Sequence, residues 1–189
     1  MKNLYSYPIF RIFLIALVIG LVVLIGSYFI PPVYRSKSQI LIGIVDPDLN
    51  NYQLSDVIQR EAQTIKSYSQ SRDFLVLVLN DAHVSYAEKD LEDGWIKKFK
   101  IETPANSAVI KITTFDNAAN QAQILNQSAI NVLKKQIESI SSLKENTNIS
   151  FKVIEAPSVY LQPVSPQPLL YALVVFLAVL FLGSLFFIY

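Results

Sequence analysis

The chain has no cysteine, one histidine and five glycines among 189 residues. The missing cysteine excludes a disulfide scaffold, thiolate metal sites and a Cys nucleophile, and is compatible with an oxidising exterior. The few glycines include no G-x-x-x-x-G-K-[ST], so no loop is built to cradle a nucleotide's phosphates. Charge is scarce too, at 16% of residues against about 25% in an ordinary soluble domain. That shortage has a location: 12–30 and 169–189 contain no charged residue, and only Lys2 and Arg11 lie outside 33–165. The net charge of +1 therefore describes two apolar ends around a mixed-charge middle. This distribution excludes a basic nucleic-acid binder and a soluble cytoplasmic enzyme.

The first apolar run, 12–30, is nineteen residues long, or about 28 Å as helix, close to the hydrocarbon thickness of a bilayer. Lys2 and Arg11 resemble a signal-peptide n-region. The run is too long for an h-region, however, and Ile25-Gly26-Ser27-Tyr28 is no clear cleavage site, so an uncleaved anchor is expected. Tyr5, Tyr7 and Tyr28 stand near its ends, where amphipathic rings favour the interface. The second run is 169–189. Lys2 and Arg11 place the N-terminus in the cytoplasm by the positive-inside rule, so the middle lies outside and the C-terminus returns inside. Ala16-x-x-x-Gly20 matches a small-residue packing face, but such pairs arise easily by chance in apolar runs, and chance is the reading preferred. The expected segments are a cytoplasmic 1–8, a span at 9–30, an external domain at 31–156, a proline-rich leader at 157–168 and a span at 169–189.

Periodicity predicts the elements of the middle. A strand is expected at 38–45, with Ile40, Ile42 and Ile44 on one face, closed by Asp46-Pro47-Asp48. Helical spacing of Leu54, Val57, Ile58, Ala62, Ile65 and Tyr68 predicts one helix from Leu54 to about Leu79, including the apolar run 74–79. Ser85-Tyr86-Ala87-Glu88 matches a capping box, predicting a short helix to about Lys97. Strands follow at 99–103 and 108–115, joined by Pro104-Ala105-Asn106 as a hairpin. Asp116 stands where an N-cap is wanted. After it Ala118, Ala122, Leu125, Ala129, Val132, Ile137 and Ile140 form an apolar helix stripe. A last strand is expected at 148–154. Strand, helices, strand, strand, helix, strand is an α+β fold, the ferredoxin-like split βαββαβ arrangement with extra helices, flanked by two transmembrane helices.

Residues for catalysis are hard to find. His83 has no second His or Cys for company and reads as a surface or junction residue. No G-x-S-x-G occurs. Asp46-x-Asp48-x-Asn50 imitates the start of an EF-hand, but Asn51 replaces the sixth-position Gly and Val57 the twelfth-position Glu, so a turn is expected. Asp90, Glu92 and Asp93 read as solvated acids on a helix face. Asn126-Gln127-Ser128 and Asn148-Ile149-Ser150 match the short, common glycosylation sequon. No catalytic, cofactor-binding or metal residue is predicted. The residues singled out are the membrane-junction prolines Pro31, Pro32, Pro157, Pro163, Pro166 and Pro168; the last four crowd 156–168, which cannot be helix interior and reads as a stiff extended approach to the second span.

Four stretches carry a resemblance. They are Pro31-Pro32-Val33-Tyr34-Arg35-Ser36-Lys37-Ser38-Gln39-Ile40-Leu41-Ile42, Glu61-Ala62-Gln63-Thr64-Ile65-Lys66-Ser67 with the helix at 74–79, Asp116-Asn117-Ala118-Ala119-Asn120-Gln121-Ala122, and 156–168. In this order and spacing the chain resembles the polysaccharide co-polymerases, the Wzz-type chain-length determinant family, over nearly its whole length. The resemblance implies a non-enzymatic scaffold of a bacterial cell (inner) membrane, two-pass, with its main domain periplasmic or extracellular. It implies a homo-oligomer that regulates chain length in O-antigen, capsule or exopolysaccharide biosynthesis. The implied partners are a polysaccharide polymerase, a lipid-linked oligosaccharide or growing polysaccharide, and the membrane, with no nucleic acid and no cofactor. Many relatives carry a longer helical excursion, and kinase-activating relatives carry a tail or fused kinase beyond the second span; here the sequence ends at Tyr189, as a tail-less member or a truncated one. The rivals are a capsule tyrosine-kinase modulator of the same family and a membrane-anchored sensor or binding module.

Overall fold

A computed structural model describes residues 8–45, 51–104, 107–143 and 148–185. It divides into two compact units, Met1–Pro32 with Val164–Tyr189, and Val33–Pro163. The first unit contains α1 (Pro8–Ser27) and α5 (Pro168–Leu185), both long and apolar enough to cross a membrane. Pro168 opens α5, a position where its missing N–H costs nothing.

The second unit is the expected α+β fold. Its strands are β1 (Tyr34–Val45), β2 (Phe99–Glu102), β3 (Val109–Asp116) and β4 (Asn148–Val159), and its helices are α2 (Asn51–Ser69), α3 (Arg72–Asp81) and α4 (Ala119–Leu143). The sheet order is β2-β3-β1-β4 with every neighbouring pair antiparallel. Chain order and sheet order together are the split βαββαβ topology, with two helices in the first crossover. The core lies between one sheet face and the helices. Ile40, Ile42, Ile101, Ile110 and Ile112 from the strands meet Ala62 and Ile65 of α2, Phe74 and Val78 of α3, and Ala129, Leu133 and Ile137 of α4. Ala122, Leu125, Ala129, Val132 and Ile137 of the predicted α4 stripe are buried, whereas Ala118 is exposed; the Ile140 side chain lies outside the described residues.

Several expectations are corrected. The single helix predicted to Leu79 is two, because hydroxyls intervene: Ser69 Oγ donates to Lys66 O at 2.6 Å, and Ser71 N-caps α3 by accepting from Phe74 N at 3.2 Å. No α-helix follows Ser85. Val84 and Tyr86 both pack on the cluster of Leu75, Leu79, Leu91 and Leu125, and two inward residues two positions apart require extended chain. The next helical segments are a π turn, Leu91–Trp95, and a 3-10 turn, Ile96–Lys98. Glu88 instead faces Arg72 at 3.6 Å. Asp116 lies at the end of β3, where Oδ1 accepts from Ala118 N in an Asx turn rather than capping α4 directly. Its Oδ2 pairs at 2.8 Å with Lys98, which also lies over the Trp95 ring. The β2–β3 hairpin is present, while Ala105 and Asn106 of its turn, like the turn at 46–50, lie outside the described residues.

Both long strands exceed their predicted limits. β1 starts four residues early, at Tyr34, and β4 runs five residues further, to Val159. Between Lys37↔Ser158 and Gln39↔Glu155 the partner strand carries an extra residue, and another between Gln39↔Glu155 and Ile40↔Val153. Pro157 falls in the first of these bulges on an edge strand, where no ladder N–H is required of it.

Candidate functional site

Among the described residues no group of three His, Cys, Asp or Glu could hold a metal ion. His83 has a structural position. Its φ is +53°, and Val84 N bonds Leu79 O while His83 N bonds Asn80 O. This is a Schellman stop, with His83 in the left-handed place that usually takes Gly and Val84 making the accompanying apolar contact. Asp90 is exposed, and the Glu92 and Asp93 side chains lie outside the described residues. The sequon at Asn126 is unusable in the folded chain. Asn126 has no exposure, its Nδ2 donates to Ser36 O and Ile112 O at 3.2 Å each, and its Oδ1 accepts from Ser38 Oγ. Asn148 opens β4, and its side chain lies outside the described residues.

The membrane-junction prolines divide between the units. Pro31 and Pro32 are exposed in the segment after α1, Pro166 follows a cis peptide bond, and Pro168 opens α5. Pro157 is half-buried in β4 with its carbonyl accepting from Gln123 Nε2 at 3.1 Å, and Pro163 is exposed. Their common feature is position along the chain. β1 follows the first apolar helix directly, β4 leads to the second, and the two strands are neighbours, with Ser36 opposite Val159. The ends through which the domain joins its two apolar helices are thus side by side in the sheet.

Within the helical unit, α1 and α5 pack on each other through small residues. Ala16 is fully buried, and Phe13 meets Phe176 edge-on with ring centroids 5.7 Å apart. A Cβ added at Gly20 would lie 3.4 Å from Phe176 Cβ, and one at Gly183 would lie 2.5 Å from Ile12 Cγ2. Ala16-x-x-x-Gly20 is therefore a packing face, contrary to the chance reading.

One feature escapes sequence reading. The sheet face opposite the core carries no helix among the described residues, and on it Arg35, Lys37, Lys100 and Lys111 line one hollow of about 300 Å³ with Glu102 and Thr113. These cations come from β1 and, far along the chain from it, from the two strands of the β2–β3 hairpin, so no single run of charge announces them. Only the register brings them together: Lys37↔Thr113↔Lys100 form one row across β1, β3 and β2, and Gln39↔Lys111↔Glu102 the next.

No family model matches the chain. It is similar to a protein of Bacillus subtilis (strain 168) named probable capsular polysaccharide biosynthesis protein YwqC, with 29% identity over 160 residues. The match covers 82% of this chain and 60% of the relative, so the chain spans about three-fifths of that protein's length. A match of that extent has to take in most of Val33–Pro163. The likeness is thus to a protein named for capsular polysaccharide biosynthesis, and the chain that carries it has a split βαββαβ domain and two helices able to cross a membrane.

Proposed function

We propose that this chain is a non-enzymatic, membrane-anchored scaffold that self-associates and regulates chain length in bacterial surface polysaccharide biosynthesis. The supporting observation is the likeness to a capsular polysaccharide biosynthesis protein over 82% of the chain. The architecture suits that role. The first and last strands of the α+β domain are neighbours in its sheet, and each leads along the chain to an apolar helix. Hydrolysis of a glycosidic bond by the usual route needs two carboxyl groups facing across the scissile bond. The one carboxylate at the open-face hollow, Glu102, is already bonded to Lys100 at 3.0 Å. In this reading the protein influences polymer length by organising a separate polymerase and its lipid-linked substrate.

The test is gel analysis of polysaccharide extracted from wild-type and deletion strains lacking a redundant homologue. Deletion is expected to shift the length distribution while repeat-unit synthesis continues. An unchanged profile would remove the reading and favour the sensor or binding module. A strain with Pro163, Pro166 and Pro168 all replaced by Ala is expected to lose length control with little change in protein abundance, because the substitutions free the approach to α5 without touching the core.

A further inference from the structure

We propose that the hollow on the open sheet face binds a phosphate group of at least two negative charges, a phosphomonoester or diphosphate, presented on a lipid. Four cationic side chains and one carboxylate line it. The carboxylate, Glu102, is engaged by Lys100 at 3.0 Å. Arg35, Lys37 and Lys111 make no ion pair to a carboxylate among the described residues. Lys37 and Lys100 flank Thr113 in a single cross-strand row, roughly 10 Å apart at two strand spacings. Like charges in such a row repel unless an anion lies between them. A phosphate seated over Thr113 would meet both ammonium groups, with Lys111 in the adjacent row. Arg35 supplies the planar fork suited to phosphate. Its guanidinium is held 4.7 Å from the Tyr160 ring centroid, and its Nε is shielded from water without a hydrogen-bond partner.

The chain argues for a lipid source. Arg35 stands eight residues after α1, and Tyr160 eight residues before α5. Eight residues of fully extended chain reach at most about 29 Å. The end of the sheet that carries Arg35, Lys37 and Tyr160 is therefore tethered twice, on short leads, to helices able to cross a membrane. Leu161, 85% exposed beside Tyr160, adds the apolar and aromatic groups that accompany cations at lipid interfaces. The inference needs the two apolar helices to be membrane spans but does not depend on the polysaccharide role.

The experiment uses the full chain in nanodiscs of phosphatidylcholine, titrated calorimetrically with inorganic pyrophosphate at low salt. Saturable binding is expected, weakened at least tenfold in Lys37→Gln/Lys111→Gln and unchanged in Lys134→Gln, whose lysine lies on α4. Thermal melting of each variant separates lost binding from lost folding; should the double variant fail to fold, Thr113→Val and Lys100→Gln singly are expected to weaken binding. Discs containing phosphatidic acid are then expected to reduce pyrophosphate binding more than phosphatidylglycerol discs of matched surface charge. Absent binding, equal binding by wild type and the hollow variants, or equal effects of the two lipids would overturn the proposal. Binding of polygalacturonate in place of pyrophosphate would overturn it in favour of an acidic-polymer surface.

Discussion

Asn126 has no contact with solvent, yet its amide bonds Ser36 O, Ile112 O and Ser38 Oγ, joining α4 to β1 and β3. Asn126→Ala leaves buried groups without partners and is expected to cost the domain about 3 kcal/mol. Ser36 is the opposite case: its hydroxyl is buried without a partner, so Ser36→Ala is expected to stabilise by about 1 kcal/mol. Urea melts followed by circular dichroism test both signs; a neutral Asn126→Ala would show that the bonds carry no weight. Asp81, at the end of α3, is a pH-sensitive link to α4. Burial pushes its carboxyl pKa up, but hydrogen bonds from Asn131, Ser128 and Lys135, with the Lys135 charge, outweigh this and hold it below the ordinary 3.8. A depressed pKa contributes stability above the unfolded value that is lost as pH falls through the folded one. The melting-temperature gap between wild type and Asp81→Asn should therefore be constant from pH 7 to about 4 and close below it. A gap that persists to pH 2 would contradict the link.

At the level of elements, the contact between α1 and α5 makes a prediction that the cysteine-free sequence renders easy to read. A Cβ at Gly20 would stand 3.4 Å from Phe176 Cβ, near the short end of disulfide geometry. Gly20→Cys/Phe176→Cys should cross-link under mild oxidation in membranes, leaving the two halves of one chain joined after proteolysis of the intervening domain. Val22→Cys/Phe176→Cys, with Val22 62% exposed, should not. Equal yields would deny the packing. Gly183→Val drives a side chain against Ile12 and should lower the first yield several-fold, with recovery on Ile12→Ala. The His83 stop ending α3 and the Ser71 cap starting it show how local chemistry divides the helical crossover into separate pieces.

For the whole molecule, the prediction is orientation. By the positive-inside rule, Lys2 and Arg11 on the near side of the first apolar run predict that both ends are cytoplasmic and that Val33–Pro163 is outside. Single cysteines at Ser107, in the β2–β3 connection, and at Ser6 distinguish the arrangements. In intact cells an impermeant thiol reagent should label the first and spare the second. Labelling at Ser6 would reverse the topology and remove the domain from the side where a surface polymer grows.

The sequence by itself determined the two apolar helices, the order of strands and helices, and hence the split βαββαβ topology. These rest on local quantities: runs without charge, and apolar residues recurring at two or at three and four positions. The start of β1 has no apolar signature because its core-facing residues there are Ser36 and Ser38, whose backbone carbonyl and hydroxyl respectively bond Asn126, and the end of β4 has none because two bulges, the first holding Pro157, break its alternation. A polar pair in the inward positions erases the alternation that marks a strand. Tertiary structure alone decided that Asn126 is buried, that Ala16 and Gly20 are a contact, and that Arg35, Lys37, Lys100 and Lys111 share one hollow. Each depends on partners far away in the chain. Register across a sheet and the approach of two helices are set by pairing between distant segments, which no local pattern of charge or hydropathy records.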